Sequence, residues 1–225
     1  MSDWDLLLQE ASIVLVGDFN PAIFHPEWLV RKDIVREWDY SNDKLVNTNE
    51  MTQVSLPGNQ NITVFQNQFT IRAPQASDHP AIRDIVVSAF SILSETPVRQ
   101  MGMNLTARYK CRNIDTWKSY GKLFAPHDKW NQMVPYLGGL ADKKKDELGL
   151  IELTMNLPRS DDRAGYVRAK IAAASLHDRS ISININNHFE ISSSSAHDVV
   201  KLLGEEWDNS LSFSFDLIEK IISQN

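Results

Sequence analysis

Three His-Asp dipeptides, His127-Asp128, His177-Asp178 and His197-Asp198, are the residues of this chain whose pairing most directly offers chemistry. An imidazole and a carboxylate can share one divalent metal, and metal-dependent phosphodiester hydrolases use such pairs to activate water. Hydrolases built on these pairs are wholly helical, however. Here one pair falls at a helix start, one in a hairpin turn and one near the cap of the last helix, where Asp complements the helix dipole without any metal. No metal site is assigned on this basis.

Other nucleophiles and cofactor motifs give less. Ser192 to Ser195 lacks the Gly-x-Ser-x-Gly context of a hydrolase elbow. Cys111, the only cysteine, closes a strand-like run where a thiol is ordinarily core packing. Neither a P-loop nor a Gly-x-Gly-x-x-Gly run exists, so no nucleotide cofactor is expected. Arg108, Lys110 and Arg112, with Tyr109 between them, form a basic aromatic strip of the kind that binds single-stranded nucleic acid. A net charge of -6 and a pI near 5.5 count against that partner. Asn184, Asn186 and His188 share the polar face of a later strand, suited to a polar pocket or to cross-strand pairing.

The elements that must position these residues follow from periodicity. Met101, Met103, Leu105, Ala107 and Tyr109 alternate with polar residues over 97–112, the pattern of a strand with one face in a core. It follows an amphipathic helix carrying Ile82, Ile85, Val86, Ala89 and Phe90, and it is expected at the centre of the sheet. Before it, residues 1–10 read as a short helix, 11–17 as a buried strand, 26–38 as a helix, and 54–56, 62–65 and 69–72 as short antiparallel strands. After it come two short aromatic helices, a charged linker over 143–147, three meander strands and a long helix over 196–223.

These elements predict an α+β protein with antiparallel sheets. The first half, 1–112, has the ferredoxin-like order βαββαβ; the second, 113–225, reads ααβββα, and the two pack as one continuous unit. With 42% hydrophobic residues the chain can build a full core. One cysteine, an acidic N-terminal stretch without a signal-peptide pattern, and no apolar run of membrane length predict a cytoplasmic protein without a membrane partner.

The second half resembles a sporadically distributed family of mostly uncharacterised bacterial proteins. That family is marked by a mid-chain Gly-Leu-Arg-Tyr-Ile-Asn type strand, a later Leu-Asp-Ile-Asp type strand before an aromatic, and a closing helix with Phe-Glu. The counterparts here are Gly102-Met-Asn-Leu-Thr-Ala, Ile183-Asn-Ile-Asn-Asn-His-Phe189 and Phe215-Asp216, with Asn104, Asn184 and Asn186 where the family has Arg and Asp. The resemblance covers about residues 97–222 and implies an architecture and a bacterial or mobile-element origin. It transfers no catalytic residue.

The last helix bears apolar residues around much of its girth: Trp207, Leu211, Phe213, Leu217 and Ile221. A terminal helix of that kind is expected to be covered by a second copy or another protein. The functional expectation is a non-enzymatic interaction or assembly subunit, of a bacterial defence or toxin-regulating system if the resemblance holds. The alternatives are a metal-dependent phosphodiester hydrolase and a single-stranded nucleic-acid-binding protein.

Overall fold

The computed structural model describes residues 3–40, 45–133, 149–175 and 179–224. The chain runs β1 (Trp4–Gly17), a 3-10 turn (Pro21–Phe24), α1 (Pro26–Arg31), β2 (Val46–Asn47), β3 (Met51–Ser55), β4 (Asn61–Phe65), β5 (Gln68–Ala73) and α2 (His79–Ile92). It continues with β6 (Val98–Cys111), α3 (Ile114–Phe124), α4 (His127–Met133), β7 (Glu152–Leu157), β8 (Gly165–Ser175), β9 (Ser180–Glu190) and α5 (Ala196–Ile222). The fold is α+β, and its strands form one nine-stranded sheet in the order β2-β3-β4-β5-β1-β6-β9-β8-β7. Every neighbouring pair is antiparallel.

β1 and β6 lie side by side in the middle, paired from Trp4↔Cys111 to Gly17↔Val98. From each, the chain passes through a helical connection into a meander that folds back beside its own first strand, then into a long helix. Thus β3, β4, β5 and α2 follow β1 as β7, β8, β9 and α5 follow β6.

Alternation decides what each strand buries. On β6, Met101, Met103, Leu105 and Ala107 are buried, in register with Leu15, Ile13, Ala11 and Gln9 of β1 and with Phe189, Asn187, Ile185 and Ile183 of β9. Helices α2 and α5 lie side by side on this face. Ile82, Val86, Ala89 and Phe90 point down from α2, and Val199, Leu203, Trp207 and Ile218 from α5. Phe24, Phe69 and Phe90 meet edge-on or tilted at 5.1–6.1 Å between centroids, which ties the 3-10 turn to β5 and α2.

Three expectations from sequence change. Among the described residues the expected N-terminal helix is strand: Trp4 to Glu10 extend β1, because pairing along the full length of β6 outweighs a leucine triplet that fits either period. A bulge between Leu6 and Leu8 absorbs the mismatch. The helix expected over 26–38 stops at Arg31, where Asp33 takes φ 54° and its N–H donates to Val30 O at 2.9 Å, a left-handed C-terminal stop. The strand expected over 54–56 begins earlier, at Met51. The charged linker expected over 143–147 lies outside the described residues.

Candidate functional site

Helices on one face leave the other face of the sheet open among the described residues. Register assigns its side chains. One row across the strands runs Asn61, Arg72, Ser12, Asn104, Asn186, Arg168 and Asn156; its neighbour runs Thr63, Thr70, Val14, Gly102, His188 and Tyr166. A third runs Glu10, Thr106, Asn184, Lys170 and Thr154, and beyond it β6 ends in Arg108 and Lys110. This is a polar surface of amides, hydroxyls and cations, with few acids.

Its best-ordered part is on β8 and β9. The His188 ring stacks on Tyr166 with centroids 4.4 Å apart and 14° between planes, and the Arg168 guanidinium lies 4.6 Å from the Tyr166 centroid. Arg168 Nε also donates to Asn156 Oδ1 at 3.0 Å, which fixes its plane. His188 Nε2 is 3.0 Å from Glu190 Oε1, and Gln100 Nε2 donates to the same carboxylate at 3.3 Å. Gly165, at φ 140°, opens β8 beside this stack; a Cβ there would lie 2.1 Å from His188 O, so only glycine permits the approach of β8 to β9.

Next to the stack, Gly102 leaves a gap at mid-sheet that the amides of Asn104 and Asn186 lean over: a Cβ at Gly102 would come 3.4 Å from Asn104 Nδ2 and 3.0 Å from Asn186 Oδ1. Asn104 Nδ2 donates to Gly102 O at 3.4 Å and Asn184 Nδ2 to Thr106 Oγ1 at 2.8 Å. Asn186 Oδ1 is buried without a hydrogen-bond partner. A buried acceptor without a donor costs about 1–3 kcal/mol, so it is a place where folding leaves something unfinished.

The sequence-derived strip Arg108, Lys110 and Arg112 is exposed on this face, but its three members differ. Arg112 is engaged: its Nε donates to Asp5 Oδ2 at 2.7 Å, and that hydrogen bond holds the Asp5 carboxyl below its ordinary range. Among the described residues Arg108 and Lys110 make no ion pair, although Lys110 lies across from Asp5 and its charge helps to lower that carboxyl. Charge is divided between the two sides of the molecule. The open face carries Arg72, Arg108, Lys110, Arg112, Arg168 and Lys170 against Asp5, Glu10, Glu152 and Glu190. Helix α5 alone carries Asp198, Glu205, Glu206, Asp208, Asp216 and Glu219 against Lys201 and Lys220. The net charge of -6 is therefore an average over an acidic helical side and a mildly basic sheet side.

The His-Asp pairs are not brought together among the described residues. His197 is exposed in the first turn of α5, its N–H donating to the Ser195 cap at 3.2 Å, and Asp198 sits in the same turn. His127 opens α4, while His177 and Asp178 lie outside the described residues. Tyr120 of α3 donates its hydroxyl to Ile221 O at 3.0 Å, so the α3 end of the molecule meets the far end of α5, roughly 36 Å from His197 at about 1.5 Å per residue. Among the described residues no group of three His, Cys, Asp or Glu could hold a metal. Cys111 is buried and its thiol, donating to Asn113 O at 3.0 Å, is pushed up by burial, away from the thiolate a nucleophile needs.

The apolar girth of α5 is largely used within the chain. Trp207 is 1% exposed and belongs to the core. Leu211, Leu217 and Ile221 are half-buried against the same core, and Phe213, 43% exposed, stands out. The helix meets three neighbours at once: the sheet below, α2 through the His79–Phe215 ring contact, and α3 through Tyr120. A polar joint fixes its height, with Asn187 Nδ2 donating to Ser214 Oγ at 2.9 Å and to Ser210 O at 3.3 Å.

Sequence reasoning reached Arg108, Lys110, Asn184, Asn186 and His188, but it missed Tyr166, Arg168, Lys170, Arg72 and Asn104 as members of the same surface. Alternation of Tyr166, Arg168 and Lys170 with Val167, Ala169 and Ile171 was the available signal. It needed the strand order to become a surface. Comparison with protein-family models found no match, and no curated protein is similar enough to count as a relative. Among the described residues no helix is long and apolar enough to cross a membrane.

Proposed function

We propose that the chain is a non-enzymatic binding or assembly subunit that works through the open face of its sheet. One observation carries this reading: seven of the nine strands, β4 to β7 across the sheet, present a largely polar face opposite the helices, with ordered amides, a Tyr-His stack and, among the described residues, two cations in no ion pair. Surfaces of that kind are built to be met by another molecule, since a sheet face without a ligand needs none of that order. The resemblance to a sporadically distributed bacterial family, together with a single buried thiol, supports a cytoplasmic setting in a bacterium, with defence or toxin regulation as the process to examine first. Docking of a second copy or another protein on α5 is the weaker version of the same function, since Phe213 is the one α5 residue among those named from sequence that is substantially exposed.

The test is capture from a bacterial lysate by the tagged full chain, in three forms: wild type, Arg108→Glu with Lys110→Glu, and Phe213→Glu. The reading expects a recovered component, protein or nucleic acid, that disappears with the sheet-face double variant and persists with Phe213→Glu. Retention by the sheet-face variant and loss with Phe213→Glu would move the working surface to the helix.

A further inference from the structure

Building on the open-face reading, we infer that the occupant of this face is single-stranded nucleic acid, lying across β5, β1, β6, β9 and β8. The first reason is charge complementarity. Among the described residues Arg72, Arg108 and Lys110 are exposed and in no ion pair, Lys110 standing across from Asp5, on the sheet face where basic residues outnumber acids, so a polyanion is drawn to the sheet and repelled from α5.

The second reason is the chemistry between those cations. Bases need planar groups to stack on and both donors and acceptors for their edges. Tyr166 is held between the Arg168 guanidinium, 4.6 Å from its centroid, and the buried His188 ring stacked on it, and Asn104 and Asn186 bring two amides to the gap over Gly102. Asn186 Oδ1, the acceptor that folding leaves without a donor, is suited to an exocyclic amino group of a base once the side chain turns outward.

Dimensions and shape decide between strand and duplex. From Arg72 on β5 to Arg168 on β8 is four inter-strand steps, about 19 Å at about 4.8 Å each, the length of a few unstacked nucleotides. Among the described residues the helices in contact with the sheet pack on its other side, so none of them is placed to enter a major groove from this face. A flat array of amides and rings reads splayed bases, which only a single strand offers.

Fluorescence anisotropy of the full chain with labelled twelve-nucleotide dT, rU and mixed-sequence strands, and with a twelve-base-pair duplex, tests this at low salt. At least one single strand is expected to bind more tightly than the duplex by about tenfold or more, with a log–log salt slope near -2 for contacts from Arg72, Arg108 and Lys110. Arg108→Glu with Lys110→Glu is expected to weaken binding by at least about tenfold and to flatten that slope; Tyr166→Ala is expected to weaken it about fivefold or more with the slope unchanged. Lys201→Glu, on the helical side, should leave it unaltered. Circular dichroism melts confirm that each variant is folded. Absence of single-strand binding at 100-fold protein excess over the range of nonspecific affinities, equal binding of duplex, or indifference to the sheet-face substitutions each overturn the inference. If oligonucleotides fail while the lysate capture above is still lost in the sheet-face variant, nucleic acid is wrong and the open face stands; if capture also survives the variant, both fall.

Discussion

The two faces of the sheet are built from the same strands, taken alternate residue by alternate residue, and they have opposite physical demands. On β6, Leu105 is fully buried between Ala11 and Ile185, while its neighbours Asn104 and Thr106 face outward beside Asn186 and Asn184. The covered face is nearly all aliphatic and aromatic; the open one is mostly amide, hydroxyl and guanidinium, with Val14 and Phe65 among them. A one-residue slip would exchange the two sets, so the covered face fixes the register that assembles the open one. Stability is thus concentrated on one side, which leaves the open side free to be polar.

That division can be broken most severely at Leu105. A Leu105→Asp chain must bury a lone carboxylate beneath α5, a loss of several kcal/mol against a total stability of roughly 5–15 kcal/mol, and it is expected to be unfolded or insoluble. Arg108→Ser, three residues on and facing outward, is expected to shift stability by no more than about 0.5 kcal/mol. Urea melts of the pair measure the contrast directly. A soluble, cooperatively melting Leu105→Asp protein would mean that the assignment of faces is reversed.

Trp207→Ala comes next. Trp207 is buried on α5 where that helix crosses the sheet, and truncation of a buried Trp costs about 3–5 kcal/mol. The expected chain folds but melts well below wild type. If the open face takes single strands as proposed, that binding, measured at a temperature where the variant remains folded, is expected to be unchanged, because the lost ring lies on the other side of the sheet.

What was legible in the sequence divides along the same line. β6, α2 and the long α5 announce themselves because each buries a periodic stripe, and antiparallel α+β architecture follows from them. The N-terminal strand was misread because Leu6, Leu7 and Leu8 suit either period, and only the partner strand β6, whose Tyr109 and Arg108 pair with Leu6 and Leu8 a hundred residues or more along the chain, decides between them. The open face was legible only in fragments. Arg108 and Lys110 are visible in one strand, yet their relation to Arg72, Tyr166 and Arg168 depends on a strand order that places β6 next to β9 across a long connection. Net charge misled for a related reason, since a single sum cannot tell an acidic helix from a basic sheet. Trp207 and Phe213 looked alike as apolar residues of one helix; only the positions of α2, α3 and the sheet show that one is enclosed and the other is not.

A smaller effect probes the seam between the helices on the covered face. His79 is 3% exposed at the start of α2, with its ring on Phe215 and Nε2 donating to Gln9 O at 3.3 Å. Burial pushes its pKa below the ordinary value, the backbone hydrogen bond and Asp78 opposing this only in part. The unfolded imidazole titrates near 6.5, the folded one lower, so the unfolded state binds more protons in that window. This contribution to stability is complete above about pH 6.5 and drains away as pH falls through the folded value. Thermal melts between pH 7 and pH 5 should show a fall in Tm that His79→Gln, which keeps a donor for Gln9 O, makes shallower. An identical pH profile in the variant would show that other groups carry the acid sensitivity.

The least effect is expected at Phe213, and it asks whether the helical side is purely structural. Phe213 is 43% exposed, flanked by the buried Ser210 and Ser214 but turned away from the sheet they face. Phe213→Glu adds a charge to solvent and gives up little buried area, so stability should change by about 0.5 kcal/mol or less. Leu217→Glu is a different case, because Leu217 packs against the core and its loss should cost more than that of Phe213. Light scattering on wild type and Phe213→Glu then separates two roles for the same ring. An unchanged monomer mass in both leaves Phe213 as one of the scattered apolar residues that soluble surfaces carry. A wild-type dimer that Phe213→Glu dissociates would give the helical side an interface of its own and end the division of labour between the two faces.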